Sequence, residues 1–336
     1  MPENFGRISP LDWRALVEEA LRRRKAEKLT QREHAALASV SIPTIAAFDR
    51  GERTLTLAKT FDILRVVGLL EEQTGDGAQE AFVRDAFARW RELTSKLPAD
   101  SPARFPHGWY RFDYALEGEL KKTVELPELE KALEKAEIHR TGWPMFVSLT
   151  RPELAPYEED GVIECWVKPE EAGIERLLSS DPAHCDFWRV APAGRAFLIR
   201  GYQEDSQESV PPGTIFDTTL PIWRIGEALL HAEHLASALG ADDAGEINVK
   251  FRALYRGLAG RVLRSLRASP IDVLDAQPAK SDEAVIEVTL PVGEIKADLA
   301  GAVYPLVASL YERFGVGRLS HDFVRAEIER FRKDHF

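Results

Sequence analysis

Apolar positions recur every three to four residues through the first hundred residues, then change rhythm. Trp13, Leu16, Val17, Ala20 and Leu21 give one apolar face over residues 11–28, which predicts an amphipathic helix. Thr30 followed by Glu33 is a capping-box start, since hydroxyl and carboxylate can satisfy each other's orphan backbone N–H groups. The short helix it opens runs to about Ala38. Ser41 can cap a second short helix with Pro43 placed early, where its missing N–H costs little. Gly51 ends that helix as a left-handed residue. Leu57, Phe61, Leu64 and Val67 form the next stripe, ended by Gly68. Residues 71–77, polar with two glycines, read as a linker. Phe82, Ala86, Trp90, Leu93 and Leu97 then make a near-heptad stripe, open to two readings: packing against a body, or a short dimer seam. Residues 98–106, with three prolines, read as a stiffer link.

From His107 the rhythm shortens. A charged helix over 127–138 leads into runs at 143–149, 162–167, 187–190, 196–200 and 215–220, split by Pro, Gly and acidic turns, which read as strands. The acidic stretches 203–213 and 241–245 are loops. Thr219-Leu220-Pro221-Ile222 with Ile225 and Leu229 echoes Thr289-Leu290-Pro291-Val292 with Ile295 and Leu299, 70 residues later. Thr-Leu-Pro is a natural strand-end and helix-start signal, so the echo is either chance or a duplicated strand-plus-helix unit. The expected fold is α+β. An all-α domain at 1–70 and a helical linker at 71–106 precede an α+β domain at 107–336, whose helices lie on one face of a largely antiparallel sheet.

Two short helices joined by a tight turn make a helix-turn-helix, whose second helix can enter a DNA major groove. The residues Thr30-Gln31, Ala35, Val40-Ser41, Thr44-Ile45, Phe48-Asp49 and Gly51 resemble the Cro/cI-like (XRE) DNA-binding family. The resemblance covers residues 11–70 and implies base reading from the start of the second helix: Ile42, Pro43, Thr44 and Ala47. None of these is Arg, Lys, Asn or Gln, so bidentate base contacts are missing. Readout would rest on thymine methyls, the Thr44 hydroxyl and DNA shape. Gln31, Arg32, Ser41, Arg50 and Arg53 would hold the phosphates. Two residues depart from the family pattern: His34 where a core Leu is usual, and Ser39 where Gly makes the turn. The bland alternative is a degenerate helix-turn-helix used for protein contacts.

Charge sharpens this picture. The 336 residues are 44% hydrophobic and 29% charged, ordinary for a globular protein, with a net charge of −11. The first 70 residues hold 12 Lys/Arg against 9 Asp/Glu, a balance of +3, which leaves −14 for the rest. A small basic module on a large acidic body suits a regulator that touches DNA with one end. The run Arg22-Arg23-Arg24-Lys25 with Lys28 is either a solvated helix end or a phosphate contact. No apolar run approaches the roughly 20 residues of a membrane helix, and the first residues lack a signal core, so a cytoplasmic protein without membrane contact is expected. Cys165 and Cys185 are too few for a disulfide framework.

In the body, Glu164-Cys165-Trp166, Asp186-Phe187-Trp188-Arg189, the run from Arg200 to Asp205 and Asp217 with Trp223-Arg224 cluster polar and aromatic residues. These runs resemble the C-terminal region of bacterial proteins bearing a Schlafen/AlbA-like putative DNA-binding domain, a resemblance over residues 135–265 that brings no activity. Trp166, Trp188, Arg189, Arg200, Trp223 and Arg224 could clamp a small anionic or planar effector by bidentate hydrogen bonds and cation–π contact. Alternatively the arginines pair with nearby acids and stitch the domain. Glu227, His231 and His234 share a helix face, but HExxH is absent, and half-buried helix histidines are commoner than metal sites. No phosphate loop, dinucleotide fingerprint or nucleophile elbow is present, so no enzyme, metal or cofactor is called for. The expectation is a transcriptional repressor binding a double-stranded palindromic operator as a homodimer. An antitoxin-like interaction module and a ligand sensor or enzyme are the rivals.

Overall fold

The computed structural model describes residues 13–26, 28–38, 40–67, 69, 76–121, 124–169, 180–241, 246–266 and 276–333. The chain divides into two compact units, Met1–Ala78 and Gln79–Phe336.

The N-terminal unit is built from α1 (Trp13–Ala26), α2 (Gln31–Leu37), α3 (Ile42–Asp49) and α4 (Leu57–Val66). Its caps are those the residues foretell. The Thr30 N–H donates to Glu33 Oε2 at 2.8 Å, and the Glu33 N–H donates to Thr30 Oγ1 at 3.2 Å. The Thr30 N–H and hydroxyl, both donating to Oε2, hold the Glu33 carboxyl below its ordinary range. Ser41 Oγ accepts the Thr44 N–H at 3.3 Å, and Gly51 sits at φ +73°. Each such cap stabilises its helix by about 1 kcal/mol. Val17, Ala20, Ala35, Ile45, Phe48, Ile63 and Leu64 make one core, against which Trp13 packs edge-on to Phe48 and donates its Nε1–H to the Gly51 carbonyl at 2.8 Å. His34, where the resemblance implies Leu, is buried; its Nε2 bonds the Ile63 carbonyl at 2.9 Å, while its Nδ1 has no hydrogen-bond partner among the described residues. Ser39 lies outside the described residues.

The second unit is organised on a seven-stranded antiparallel sheet. Its strands are β1 (Trp109–Glu117), β2 (Tyr157–Glu159), β3 (Val162–Trp166), β4 (Phe187–Ala191), β5 (Arg195–Gly201), β7 (Asn248–Arg256) and β9 (Glu283–Pro291), in the order β2-β3-β4-β5-β1-β7-β9. β6 (Ile215–Asp217) and β8 (Val262–Arg264) form a separate parallel pair. Alternation sorts the side chains. Tyr110, Phe112, Tyr114, Leu198, Phe251 and Ile286 point to one face and meet α6 (Leu126–Ala136), α7 (Leu220–Leu239), α8 (Val292–Ala297), α9 (Leu299–Tyr311) and α10 (His321–Lys333). Trp109, Phe187, Phe197 and Ile199 point to the other, where α5 (Asp76–Thr94) lays Val83, Ala86 and Trp90 over them.

Helices therefore cover both faces, not one. The stripe read as either packing or a dimer seam is core, and the helix read as linker belongs from Gln79 onward to the second unit. Ion pairs fix both ends of α5: Glu80 with Arg252, and Arg89 with Glu159 and Glu164. The Thr-Leu-Pro echo is not a repeat of structure. The first copy follows the short parallel strand β6 and opens one 20-residue helix; the second ends the sheet-edge strand β9 and opens two helices broken at Asp298. The run 215–220 is strand only to Asp217, whose Oδ1 accepts the Thr219 and Leu220 N–H groups and turns the chain into α7.

Residues 143–149 form no strand. Met145, Phe146 and Val147 are buried in a loop, with Phe146 at φ +57°. A buried loop needs partners for its carbonyls. Here side chains supply them.

Candidate nucleic-acid interface

The first turn of α3 faces outward while its second turn locks inward. Ser41, Ile42 and Pro43 are exposed, Ile42 at 47%, whereas Ile45 and Phe48 are buried. Thr44 and Ala47 are half-buried on the same helix. Burying Ile45 and Phe48 stabilises the unit by about 1.5–3 kcal/mol each, which fixes the rotation of α3 about its axis. The Thr44 hydroxyl lies 2.8 Å from Ser41 Oγ, so it is oriented by the cap while still at the surface.

The arginines of this unit differ in how far their donors are already committed. Arg24 is buried and makes a bidentate pair with Asp49, at 2.9 and 2.7 Å, tying α1 to the end of α3. Gln31 donates to the same Asp49 at 2.6 Å, so its amide braces α2 against α3. Arg22 and Arg23 both bond Glu19, which their donors hold down to about 2. Arg50 pairs with Glu52 at 2.7 Å on the surface, a contact worth little to stability. Arg32 and Arg53 are exposed and make no ion pair among the described residues. The basic run is therefore spent largely on the unit itself. Of the expected phosphate contacts, Arg32, Arg53 and Arg50 are presented outward, Ser41 is the cap, and Gln31 is already engaged.

The cluster read in the body does not converge on one site. Glu164 and Arg189 lie on the face covered by α5. There Glu164 takes Arg189 at 3.1 Å, Arg89 at 3.2 Å and the Tyr157 hydroxyl at 2.6 Å. Trp166 packs into the core of that same face. Arg200, Trp188, Trp223 and Arg224 belong to the opposite face. Arg200, fully buried, donates Nε–H to Asp186 Oδ1 at 2.8 Å and Nη2–H to the Pro144 carbonyl at 2.7 Å, with a second contact to Asp186 Oδ2. Arg224 donates to the Trp143 carbonyl at 2.6 Å and to Thr141 Oγ1. The Trp188 Nε1–H donates to the Val147 carbonyl at 3.0 Å.

These groups thus satisfy the carbonyls of Trp143, Pro144 and Val147, doing for them what a strand ladder would otherwise do. The cavity beside them, walled by Tyr110, Phe112, Tyr202 and Tyr255 and reached by Arg224, measures about 20 Å³. That is room for about one water, while small-molecule sites are about 300 Å³ or more. No family model, curated protein or solved structure matches the chain.

Of the helix face weighed as a metal site, Glu227 accepts from Thr141 Oγ1 at 2.9 Å. His231 bonds the Tyr114 hydroxyl at 2.9 Å and stacks on Phe146 at 4.2 Å. Burial pushes Glu227 up to about 7 and His231 down to about 3. Among the described residues no three His, Cys, Asp or Glu gather as a metal set, both cysteines are buried, and no helix is long and apolar enough to cross a membrane. Sequence reasoning passed over Arg261, which is buried against Asp205 at 2.7 Å and over the Tyr202 ring at 4.3 Å. No local pattern distinguishes it from a surface arginine.

Proposed function

We propose that the chain is a cytoplasmic, sequence-specific DNA-binding regulator of the XRE-like kind, a repressor acting as a homodimer on a palindromic operator. The observation that carries the reading is the outward first turn of α3, held by the Ser41 cap and the buried Ile45 and Phe48. A helix fixed in rotation at its capped end is what major-groove reading requires. Arg32 and Arg53 supply exposed positive charge for phosphates, and Arg50 can join them. Base preference comes from Ile42, Pro43 and Ala47 against thymine methyls and from the Thr44 hydroxyl. With so few polar base contacts, most affinity is electrostatic and falls steeply with salt.

The dimer rests on the second unit. The α5 stripe is consumed by the sheet, and Tyr157 and Val285 are the large exposed hydrophobics of that unit among the described residues. The interface is accordingly polar and modest rather than a large apolar patch. Two weak half-site contacts then gain through effective concentration rather than through new chemistry. Mass measurement of the full chain at micromolar concentration tests this, and a monomer would refute it.

The test of specificity is selection from a random DNA pool. The wild type should enrich one palindromic motif, and an Ile42→Ala, Thr44→Ala double variant should lose it while retaining non-specific binding. Identical motifs for both proteins would sink the assignment of α3 as reader. One observation favours a second reading, a protein-interaction module: Ile42 is an exposed apolar group whose turn carries no amide or cation. Enrichment of no motif at all would favour that alternative.

A further inference from the structure

A cleft of about 310 Å³ in the second unit runs along α6. Glu130, Glu134 and Glu137 line one wall, and Leu133, Leu149 and Trp188 contribute apolar surface. Glu130 and Glu134 are exposed at the rim. Glu137 is different: its side chain is only 7% exposed. Oε1 accepts one long hydrogen bond, from the Ser148 N–H at 3.3 Å. The exposed His139 imidazole lies 3.9 Å from Oε2. Glu137 also caps the C-terminal end of α6, where the helix dipole disfavours a negative charge. Burial raises its carboxyl above the ordinary range. A carboxylate buried at a helix C-terminus, with one long hydrogen bond and an imidazole 3.9 Å away, leaves room for a further cationic partner.

We propose that this cleft binds a small aliphatic diamine, one ammonium paired with Glu137 and the other with the rim carboxylates. The apolar wall suits a short methylene chain, and a volume near 300 Å³ is at the small end of ligand sites. Along α6, Glu134 is about 4.5 Å and Glu130 about 10.5 Å in rise from Glu137, so a four- or five-carbon spacer spans from the buried acid to the rim. A metal ion is the poorer fit, because the three acids are spread along the helix and no metal set forms among the described residues. The proposal is independent of whether the first unit binds DNA.

The experiment is calorimetric titration of the full chain with 1,4-diaminobutane, butylamine, butane-1,4-diol and the methylamide of N-acetyl-lysine. Saturable one-site binding of the diamine is expected, with butylamine weaker by several-fold and the diol silent. Glu137→Gln keeps an acceptor for the Ser148 N–H and should weaken the diamine at least tenfold. Glu134→Gln should weaken the diamine several-fold and leave butylamine unchanged, which keeps the proposal testable if the Glu137 variant fails to fold. The proposal is overturned by absence of saturable diamine binding, or by equal weakening in Glu158→Gln, an exposed acid outside the cleft. A lysine derivative that binds as tightly as the diamine would assign the cleft to a protein side chain and overturn it as well.

Discussion

Arg53 and Arg200 carry the same guanidinium and differ in almost everything around it. Arg53, in the N-terminal unit, is exposed and makes no ion pair among the described residues; Arg200, in the second unit, is fully buried and spends its donors on Asp186 and the 143–144 carbonyls. Arg189, Arg224 and Arg261 follow Arg200, each buried and each holding acids or backbone of its own unit. What an arginine is for depends on whether its hydrogen bonds are already made. By that criterion Arg200 and Arg224 stand in for missing backbone pairing in the second unit, and the N-terminal unit keeps a few donors uncommitted.

The largest effect expected from that contrast is at Arg200. Arg200→Ala leaves the Asp186 carboxylate without its guanidinium and the Pro144 carbonyl without its donor in the core, and removing one partner of a buried pair costs about 3–5 kcal/mol. Denaturant unfolding should show the second unit lost or severely weakened; a loss under about 1 kcal/mol would contradict the role given to the loop carbonyls. Arg24→Ala comes next, because Arg24 is the one arginine of the N-terminal unit shown buried among the described residues. Losing its charged hydrogen bonds to Asp49 should cost about 1.5–3 kcal/mol in that unit, read by the melting of the unit's helices.

Buried acids give a smaller, pH-dependent effect. Glu227 holds its proton up to about 7 when folded, against 4.5 for the ordinary carboxyl. Its contribution to stability is therefore complete below about 4.5 and lost as pH rises through 7. His231 has the opposite sign: held down to about 3 against 6.5, it stabilises above 6.5 and loses that contribution as pH falls toward 3. Glu227→Gln should thus gain on the wild type as pH rises from 4.5 to 7, by at most about 1.4 kcal/mol per pH unit. A constant gap across that range would show that Glu227 ionises normally. The smallest effect belongs to Arg53→Ala, whose stability should stay within about 0.5 kcal/mol of wild type.

The same contrast explains what could be read from the residues alone. The caps of α2 and α3 were legible because each involves neighbours within three residues, Thr30 with Glu33 and Ser41 with Thr44. β3, β4 and β5 were legible as compact apolar runs. β1 and β7 also carried a signal, period-two alternation through Tyr110, Phe112 and Tyr114 and through Val249, Phe251 and Ala253, but charged residues between them made it resemble surface. The 143–149 run misled because hydrophobic density marks burial, not a strand. Its carbonyls are satisfied by Arg200, Arg224 and Trp188, side chains 41 to 81 residues away in the chain. No local pattern encodes such partners. Burial of Arg200 and Arg261, and the exposed state of Arg53, are consequences of the tertiary fold.

The most direct measurement is the affinity of the full chain for duplex DNA as a function of salt, for the wild type and Arg53→Ala. Binding by the N-terminal unit predicts a steep linear fall of log affinity with log salt for the wild type. It also predicts weaker binding by the variant to all sequences, with the slope shallower by about one for the lost phosphate contact. Absence of DNA binding at low salt, or a slope and affinity unchanged in the variant, would contradict the account.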